Sequence, residues 1–373
     1  MRTKERWDYL RRSLKLGSDI LIRGRLDFAF DLMPFNVAHM SLARRLNLIR
    51  SAANLAYRRL QPWSWPTHMQ IELANYCNLK CRVCPTGLGK LNRPPKAMDT
   101  ALFERLINEV GPYLMTASLW GWGEPLLHPQ LCDILRIAQK QGMATLISTN
   151  GQNLSDENVL KALVDYPPTY LIVALDGITD ETNSLFRVGA KVDKALSGVH
   201  RLVRMRAQKG SKLPIVHLRY IVMKHNEHEL PYLPKFAAEN EFDIMTIRTL
   251  SIIDAPEETH HNLLPSSERY QAYGYENNKR VSRTDFMCEM AFTFPTVFAD
   301  GTVVACDQDC RAQQPYGSLA DGSSFADIWW SRRASEIRKT IRDNPSKFSF
   351  CKNCPFRDRP ISTCSVEFLD LRK

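Results

Sequence analysis

The chain of 373 residues contains no apolar run of about twenty residues, which excludes a membrane-spanning helix. No export signal is evident either, because the first residues are too charged for a signal peptide. Without export, ten cysteines argue against a disulfide scaffold and for metal chemistry in a reducing, cytoplasmic compartment. Apolar content is that of an ordinary globular protein, enough for one large core with appendages. Charge imbalance is almost missing from most of the chain. Of the net +10, residues 1–61 carry +8, from thirteen Lys/Arg against five Asp/Glu, and the rest carries about +2.

Aromatic residues do not alternate regularly with the arginines of the basic stretch, so nucleic acid is not the expected partner. Trp7, Leu10 and Leu14 share one helical face. Leu42, Leu46, Ile49, Ala53, Ala56 and Leu60 step by four and three, with Arg44, Arg45, Arg50, Arg58 and Arg59 mostly off that stripe. Gly24 and Pro34 divide the segment, and no strand pattern precedes Met69. Residues 1–66 therefore read as a basic amphipathic helical leader. Two readings stand: a collar packed on the body with its arginines solvated, or an interfacial segment whose residues 1–61 contact anionic lipid.

Three cysteines then fall within eight residues, Cys77-Asn-Leu-Lys-Cys81-Arg-Val-Cys84, with no fourth cysteine or histidine close by. Thiolates select zinc, copper(I) or iron–sulfur clusters. A structural zinc site is closed by four protein ligands. A cubane cluster on three cysteines keeps one iron open. A zinc site with a distant fourth ligand is the alternative.

From residue 67 to 250 strands and helices alternate. Strands are expected at Met69–Ala74, Ala117–Trp122, Ala144–Ser148, Leu171–Leu175, Ile215–Val222 and Met245–Leu250. Helices are expected at Thr100–Val110, Gln130–Gln141, Asp156–Asp165, Val192–Gln208 and Glu229–Glu239, with Asp99 and Ser155 as N-caps. This order implies an α/β fold with a parallel sheet and right-handed crossovers. Six units are too few for a closed eight-stranded barrel. Sites in such sheets lie beyond the strand C-termini, where the cysteine loop falls. At the same edge come Gly121-Trp122-Gly123-Glu124-Pro125, Ser148-Thr149-Asn150-Gly151, Ala174-Leu175-Asp176-Gly177 with Arg187, and His225-Asn226. His128, His260 and His261 read as loop residues, and Cys132 as a small buried hydrophobe.

Residues 251–287 are polar, contain Pro256 and Pro265, and read as a linker. The remainder, 288–373, is a second module. Strand-like Phe292–Phe298 and Thr302–Ala305 flank the turn signal Asp300-Gly301, which brings Cys288 and Cys306 together. A helix over Phe325–Arg342 precedes Cys351-Lys-Asn-Cys354-Pro. These four thiols suffice for one fully ligated centre, and zinc ribbons share that pattern. Cys310 and Cys364 are left over.

The CxxxCxxC motif after a first strand resembles the signature of the radical S-adenosylmethionine (SAM) superfamily. The resemblance implies a partial, six-unit TIM-like barrel and a [4Fe-4S] cluster on Cys77, Cys81 and Cys84. Its open iron chelates SAM, whose reductive cleavage gives a radical that abstracts hydrogen from substrate. It also implies SAM contacts from Gly121, Gly123 and Glu124, with Trp122 standing where the family has a middle glycine. Ser148 and Asn150 face the ribose or methionyl group, and Asp176 and Arg187 follow the family's SLDG…R pattern, with Ala174 in place of its serine. Arg187 would pair with the SAM carboxylate. Val83 takes the place of the aromatic residue that lies against adenine. Cys288, Gly301, Cys306, Cys351 and Cys354 are similar to the family's SPASM extension in its one-cluster twitch form, which implies an auxiliary [4Fe-4S] cluster. Cys310 would be either a spectator or an exchange ligand with Cys306. The auxiliary cluster would accept an electron or relay one from an external flavodoxin- or ferredoxin-type donor. The substrate is expected to be a small polar or carbohydrate-like metabolite, free or lipid-linked. The alternatives are a ribosomally made peptide, to be epimerised or crosslinked, and a non-catalytic zinc adaptor. No residue stands out as the acceptor of the substrate proton.

Overall fold

The computed structural model describes residues 17–252, 262–276, 279–281, 286–358 and 363–372. Trp7, Leu10, Leu14, Pro256, His260 and His261 lie outside the described residues. A short helical turn (Asp19–Arg23) leads into two strands, β1 (Leu26–Phe30) and β2 (Met33–Val37), paired as an antiparallel hairpin. This corrects the all-helical reading of residues 1–66. Asp31 and Leu32 form the turn, both at positive φ (54° and 64°).

Helix α1 (Leu42–Tyr57) follows, and its facing is the reverse of the one its apolar stripe suggests. Arg44, Asn47, Ser51 and Asn54 are buried, while Leu42, Leu46 and Ile49 are exposed. The surface beneath the helix consists of loop ends rather than apolar core. Arg44 donates to the carbonyls of Gly111, Gln141 and Gly142. Asn47 bonds Trp65 N and the carbonyls of Trp65 and Tyr113, and Asn54 bonds Trp63 N and Ser64 Oγ. Bare carbonyls at helix ends need donors, so the polar face goes inward.

The body alternates β3 (His68–Ile71), α2 (Thr100–Val110), β4 (Thr116–Ser118), α3 (Leu131–Gln139), β5 (Ala144–Thr149), α4 (Glu157–Asp165), β6 (Tyr170–Ala174), α5 (Asp180–Phe186), α6 (Val192–Gln208), β7 (Ile215–Val222), α7 (Leu233–Glu239) and β8 (Ile244–Thr249). Asp99 caps α2 through Leu102 N at 2.9 Å. The cap of α4 is Asp156, which accepts from Asn158 N and Val159 N, not Ser155. The short α5 carries no long apolar period and is absent from the sequence reading. Cys132 is exposed on α3, so it is no core residue.

The six strands β3 to β8 are parallel and adjacent in chain order. Alternation along each strand sorts the side chains. On β7, Val216, Leu218, Tyr220 and Val222 join the main core with helix residues such as Leu202 and Leu233. His217, Arg219 and Ile221 point the other way, into the concave face of this open barrel. The β1–β2 hairpin fills the lower part of that face. Met33 and Phe35 pack on Leu146, Tyr170, Ile172 and Ile244.

The second module extends the same sheet. β9 (Thr296–Val297) pairs in parallel with β3, followed outward by β10 (Thr302–Val304) and β11 (Pro315–Ser318). Gly301 takes the turn at φ 89°. The expected helix over Phe325–Arg342 is two helices, α8 (Phe325–Trp329) and α9 (Arg332–Asp343), because Ser331 caps the second through Ala334 N at 3.0 Å. At the far edge β12 (Ser365–Asp370) runs antiparallel to β8. The described part of the expected linker is packed: Ala272 and Tyr273 are buried, and Tyr273 donates to Ile252 O at 2.9 Å.

Candidate active site

The cysteine loop leaves β3 at the C-terminal edge, and its neighbours fix its course. Lys80 N donates to Val188 O at 3.1 Å and Arg82 N to Phe186 O at 3.2 Å, so the loop pairs with the backbone on either side of Arg187. Leu79 N and Asn150 Nδ2 approach Cys77 Sγ at 3.4 and 3.6 Å. Burial pushes the Cys77 thiol up to about 11 and that of Cys81 to about 12, and Cys84 adds repulsion to both. Arg187 offsets part of this at Cys81. Thiolates gathered this way stay together when a metal centre neutralises them.

The glycine-rich loop after β4 is held against the cysteine loop. A Cβ on Gly123 would lie 2.2 Å from Ala74 O and 2.7 Å from Tyr76 O, so only glycine permits this approach. Thr86 Oγ1 donates to Trp122 O. Glu124 is buried, and its carboxylate accepts from Thr149 Oγ1 (2.7 Å), Asn150 N (2.8 Å) and Leu126 N (3.1 Å). It thereby braces the Gly121–Pro125 loop against Asn150. Asn150 Nδ2 also bonds Asn78 Oδ1 at 2.8 Å. Ser148 faces the concave side, where its Oγ accepts from Arg219 at 3.4 Å.

Asp176 is buried and lies 2.7 Å from Arg187 Nε, while its other oxygen accepts from Ile221 N at 2.8 Å. Burial still pushes its carboxyl above the ordinary value, with Arg187 pulling the other way. Asn226 ties the ends of β6 and β7 together through Asp176 O and Ile221 O, and His225 lies at the same edge. Val83 is buried among Phe186, Met223, Leu250 and Ile252, with Ile221 beside it, an apolar wall at the mouth of the barrel. His128 is structural: its ring bonds Met98 O at 2.8 Å and Gln130 N at 3.1 Å.

The second cysteine set also converges. Cys306 feels Cys351, Cys288 and Cys354 electrostatically, and burial pushes all four thiols up. Cys310 is elsewhere, buried beside Leu91 and Trp122. Cys364 is buried, bonded to Arg248 and within electrostatic reach of Cys354. Among the described residues, no three His, Cys, Asp or Glu side chains converge tightly enough to hold a single metal ion. Sulfurs around one zinc would lie about 3.8 Å apart, from Zn–S bonds of about 2.3 Å in a tetrahedron. Sets of three and four thiols are the soft donor chemistry that iron–sulfur clusters take.

Two functional residues carried no sequence signal. Glu72, directly after the end of β3, is fully buried and takes a bidentate pair with Arg93 at 2.7 and 2.8 Å. It also accepts from Trp122 N and Ala299 N, both at 3.1 Å. Arg93 in turn donates to Cys310 O at 2.9 Å and lies 3.9 Å from the Phe298 ring centre. One ion pair thus joins β3, the glycine-rich loop and the second module. Lone Glu and Arg residues 21 apart give no motif to read.

The comparisons with known proteins agree with this geometry. Residues 71–236 match the family model of the radical SAM superfamily, and residues 288–355 match SPASM, an iron–sulfur cluster-binding domain. The tungsten-containing aldehyde ferredoxin oxidoreductase cofactor-modifying protein of Pyrococcus furiosus is 24% identical over 319 residues, 78% of this chain and 88% of that protein. The Fe-coproporphyrin III synthase of Methanosarcina barkeri is 32% identical over 161 residues, 43% of this chain and 38% of the synthase. Among solved structures, Streptococcus suis SuiB bound to S-adenosylmethionine aligns with TM-score 0.60 at 15% identity, over 93% of this chain and 83% of SuiB. BtrN in complex with AdoMet and 2-DOIA aligns with TM-score 0.51 at 19% identity, over 82% of this chain and 97% of BtrN. The chain belongs to the radical SAM superfamily and carries a C-terminal SPASM-type domain: it is a radical SAM enzyme whose cofactors are SAM and iron–sulfur clusters.

Proposed function

We propose that this enzyme oxidises a small polar or carbohydrate-like metabolite by abstraction of a hydrogen atom. Cys77, Cys81 and Cys84 would hold a [4Fe-4S] cluster with one open iron, and Cys288, Cys306, Cys351 and Cys354 an auxiliary cluster. When bound, the first cluster and SAM supply one-electron cleavage of the sulfonium and a carbon radical for hydrogen abstraction, and the auxiliary cluster supplies an electron acceptor or relay. The chain's own residues place and enclose that chemistry. Arg187, beside Cys81 and tethered to Asp176, would hold the SAM carboxylate. The backbone at Trp122–Glu124 would hold its ammonium, and Val83 and Ile221 would bound the adenine. The observation that carries the reading is the three-thiol loop pinned across Arg187 at the barrel mouth. Metal analysis tests it. Anaerobically purified protein should hold about eight iron and eight sulfide per chain, and stoichiometric zinc overturns the reading.

The concave face favours a small polar substrate. It carries Gln70, Ser118, His217, Arg219 and Thr246, and the β1–β2 hairpin closes its lower end. SuiB has been solved bound to its precursor peptide SuiA. Here the hairpin removes the sequence argument that no strands precede the barrel, but its apolar side is spent on the barrel itself. The small-molecule reading therefore keeps precedence. The electron donor is expected to be of flavodoxin or ferredoxin type.

No helix among the described residues is long and apolar enough to cross a membrane. The exposed face of α1 supports peripheral contact instead. Leu42, Leu46 and Ile49, together with Leu21 and Ile22, form an outward apolar face beside Arg50, Arg58 and Arg59, which fits anionic lipid on a cytoplasmic surface. Leu46→Glu with Ile49→Glu should abolish flotation with phosphatidylserine vesicles, and equal flotation of variant and parent sinks the membrane version.

A further inference from the structure

The concave face holds a charge cluster that the SAM chemistry does not use. Asp31, at the tip of the β1–β2 hairpin, reaches up between two strand arginines. Its Oδ2 lies 3.2 Å from Arg219 Nη2 on β7 and 3.5 Å from Arg248 Nη1 on β8. Its Oδ1 accepts from Ser365 Oγ at 2.7 Å and from Thr363 Oγ1. Those bonds hold a turn in which Leu32 sits at positive φ, a strained state for a side chain of that size.

The cluster is not neutral. Arg219 is 5% exposed, its Nη1 meets Ser148 Oγ, and its Nε finds no hydrogen-bond partner among the described residues. The Nε of Arg248 is likewise buried without one. Two guanidinium groups face one carboxylate, and Asp31 is held in its ionised form by both arginines and both hydroxyls. Among the described residues, Asp31 is the one acid within ion-pair distance of either guanidinium, and Cys364 is bonded to Arg248. An uncompensated buried cation is costly unless a ligand completes it. The cluster lies on the same concave face and reaches toward the cysteine loop. Arg219 is near enough to Arg187, beside the cysteine loop, for the two to repel, and Trp120 lies on its other side at 5.7 Å.

We propose that Arg219 and Arg248 are the substrate's oxyanion anchor: the metabolite carries a carboxylate or phosphate that docks on this pair, with its reacting carbon turned toward the Cys77–Cys84 loop. The proposal rests on the radical SAM reading for what happens to that carbon, but not for the binding itself. Asp31 sets the affinity. It holds the two arginines in place and takes up one of their charges, so the site accepts an anion without being saturated by its own acid.

Binding can be measured apart from turnover. Cluster-loaded full-length enzyme, saturated with SAM so that Arg187 is occupied, is titrated anaerobically with inorganic phosphate and separately with acetate. One saturable site is expected for at least one probe: a site for phosphate alone assigns a phosphorylated substrate, and a site for acetate assigns a carboxylate. Arg219→Gln and Arg248→Gln should each weaken it about tenfold or more, the worth of one charge-assisted bond, while Lys235→Gln on the exposed side of α7 leaves it unchanged. Asp31→Asn should tighten it, which misfolding cannot do. The dissociation constant of SAM should stay the same in all variants. Absence of a saturable site for either probe, or equal binding by the glutamine variants, overturns the anchor. Failure of the parent enzyme to cleave SAM would overturn the radical reading and leave this result standing.

Discussion

Removing Arg93 tests whether the Glu72–Arg93 pair joins the two modules. Arg93→Met leaves the Glu72 carboxylate fully buried, with Trp122 N and Ala299 N as its remaining donors. Breaking a buried pair on one side costs about 3–5 kcal/mol. The two surviving N–H donors place this case near the lower end, about 3 kcal/mol. In a chain of this size that corresponds to a drop of roughly 4 °C in melting temperature. It is read by thermal unfolding of cluster-loaded protein under anaerobic conditions, with iron content matched to the parent. Glu72 also anchors Trp122 N, so SAM should bind more weakly in the same variant. The double change Glu72→Gln, Arg93→Met removes both charges and should recover most of the loss. A loss below about 1 kcal/mol, or a double variant no better than the single one, refutes the reasoning.

Gly123→Ala should keep its iron yet lose on the order of a hundredfold in SAM cleavage, because the new methyl meets Ala74 O and the loop shifts by about an ångström; the readout is 5′-deoxyadenosine formed per cluster. His68, packed against Phe28, Phe30 and Phe294, is held down to about 4 by burial. Its neutral form therefore supports the fold above the ordinary histidine range, and that support fades as pH falls from about 6.5 toward 4. The effect is worth about 2 kcal/mol once partial exposure is discounted. His68→Gln should flatten the acid limb of a plot of urea midpoint against pH, and an unchanged limb contradicts it.

Much of the barrel was legible because each strand–helix unit carries its own period. Ile215–Val222 alternates cleanly and ends where expected, and the C-terminal edge gathered the glycine-rich, Ser148 and Asp176 loops as the topology requires. The cysteine spacing was legible because one short loop must wrap one centre. The β1–β2 hairpin was not. Its turn is Asp31-Leu32, without the Asn-Gly or Asp-Gly signal of such turns, and Pro34 sits inside a two-stranded ribbon where it blocks no central ladder. Periodicity found the extent of α1 but reversed its facing, since the surface it covers is a ring of carbonyl groups wanting donors. Asp31, Arg219 and Arg248 stayed hidden because they come from three distant segments that meet only when the hairpin enters the barrel.

The central claim is that the Cys77–Cys84 loop, not the C-terminal set, is where SAM is split. The most direct measurement is 5′-deoxyadenosine formed on anaerobic reduction of the enzyme with SAM, compared among the parent, Cys81→Ala and Cys354→Ala. Product from the parent, none from Cys81→Ala and residual uncoupled cleavage from Cys354→Ala is the predicted result. Product from Cys81→Ala at the parent's rate, or none from the fully loaded parent, would contradict it.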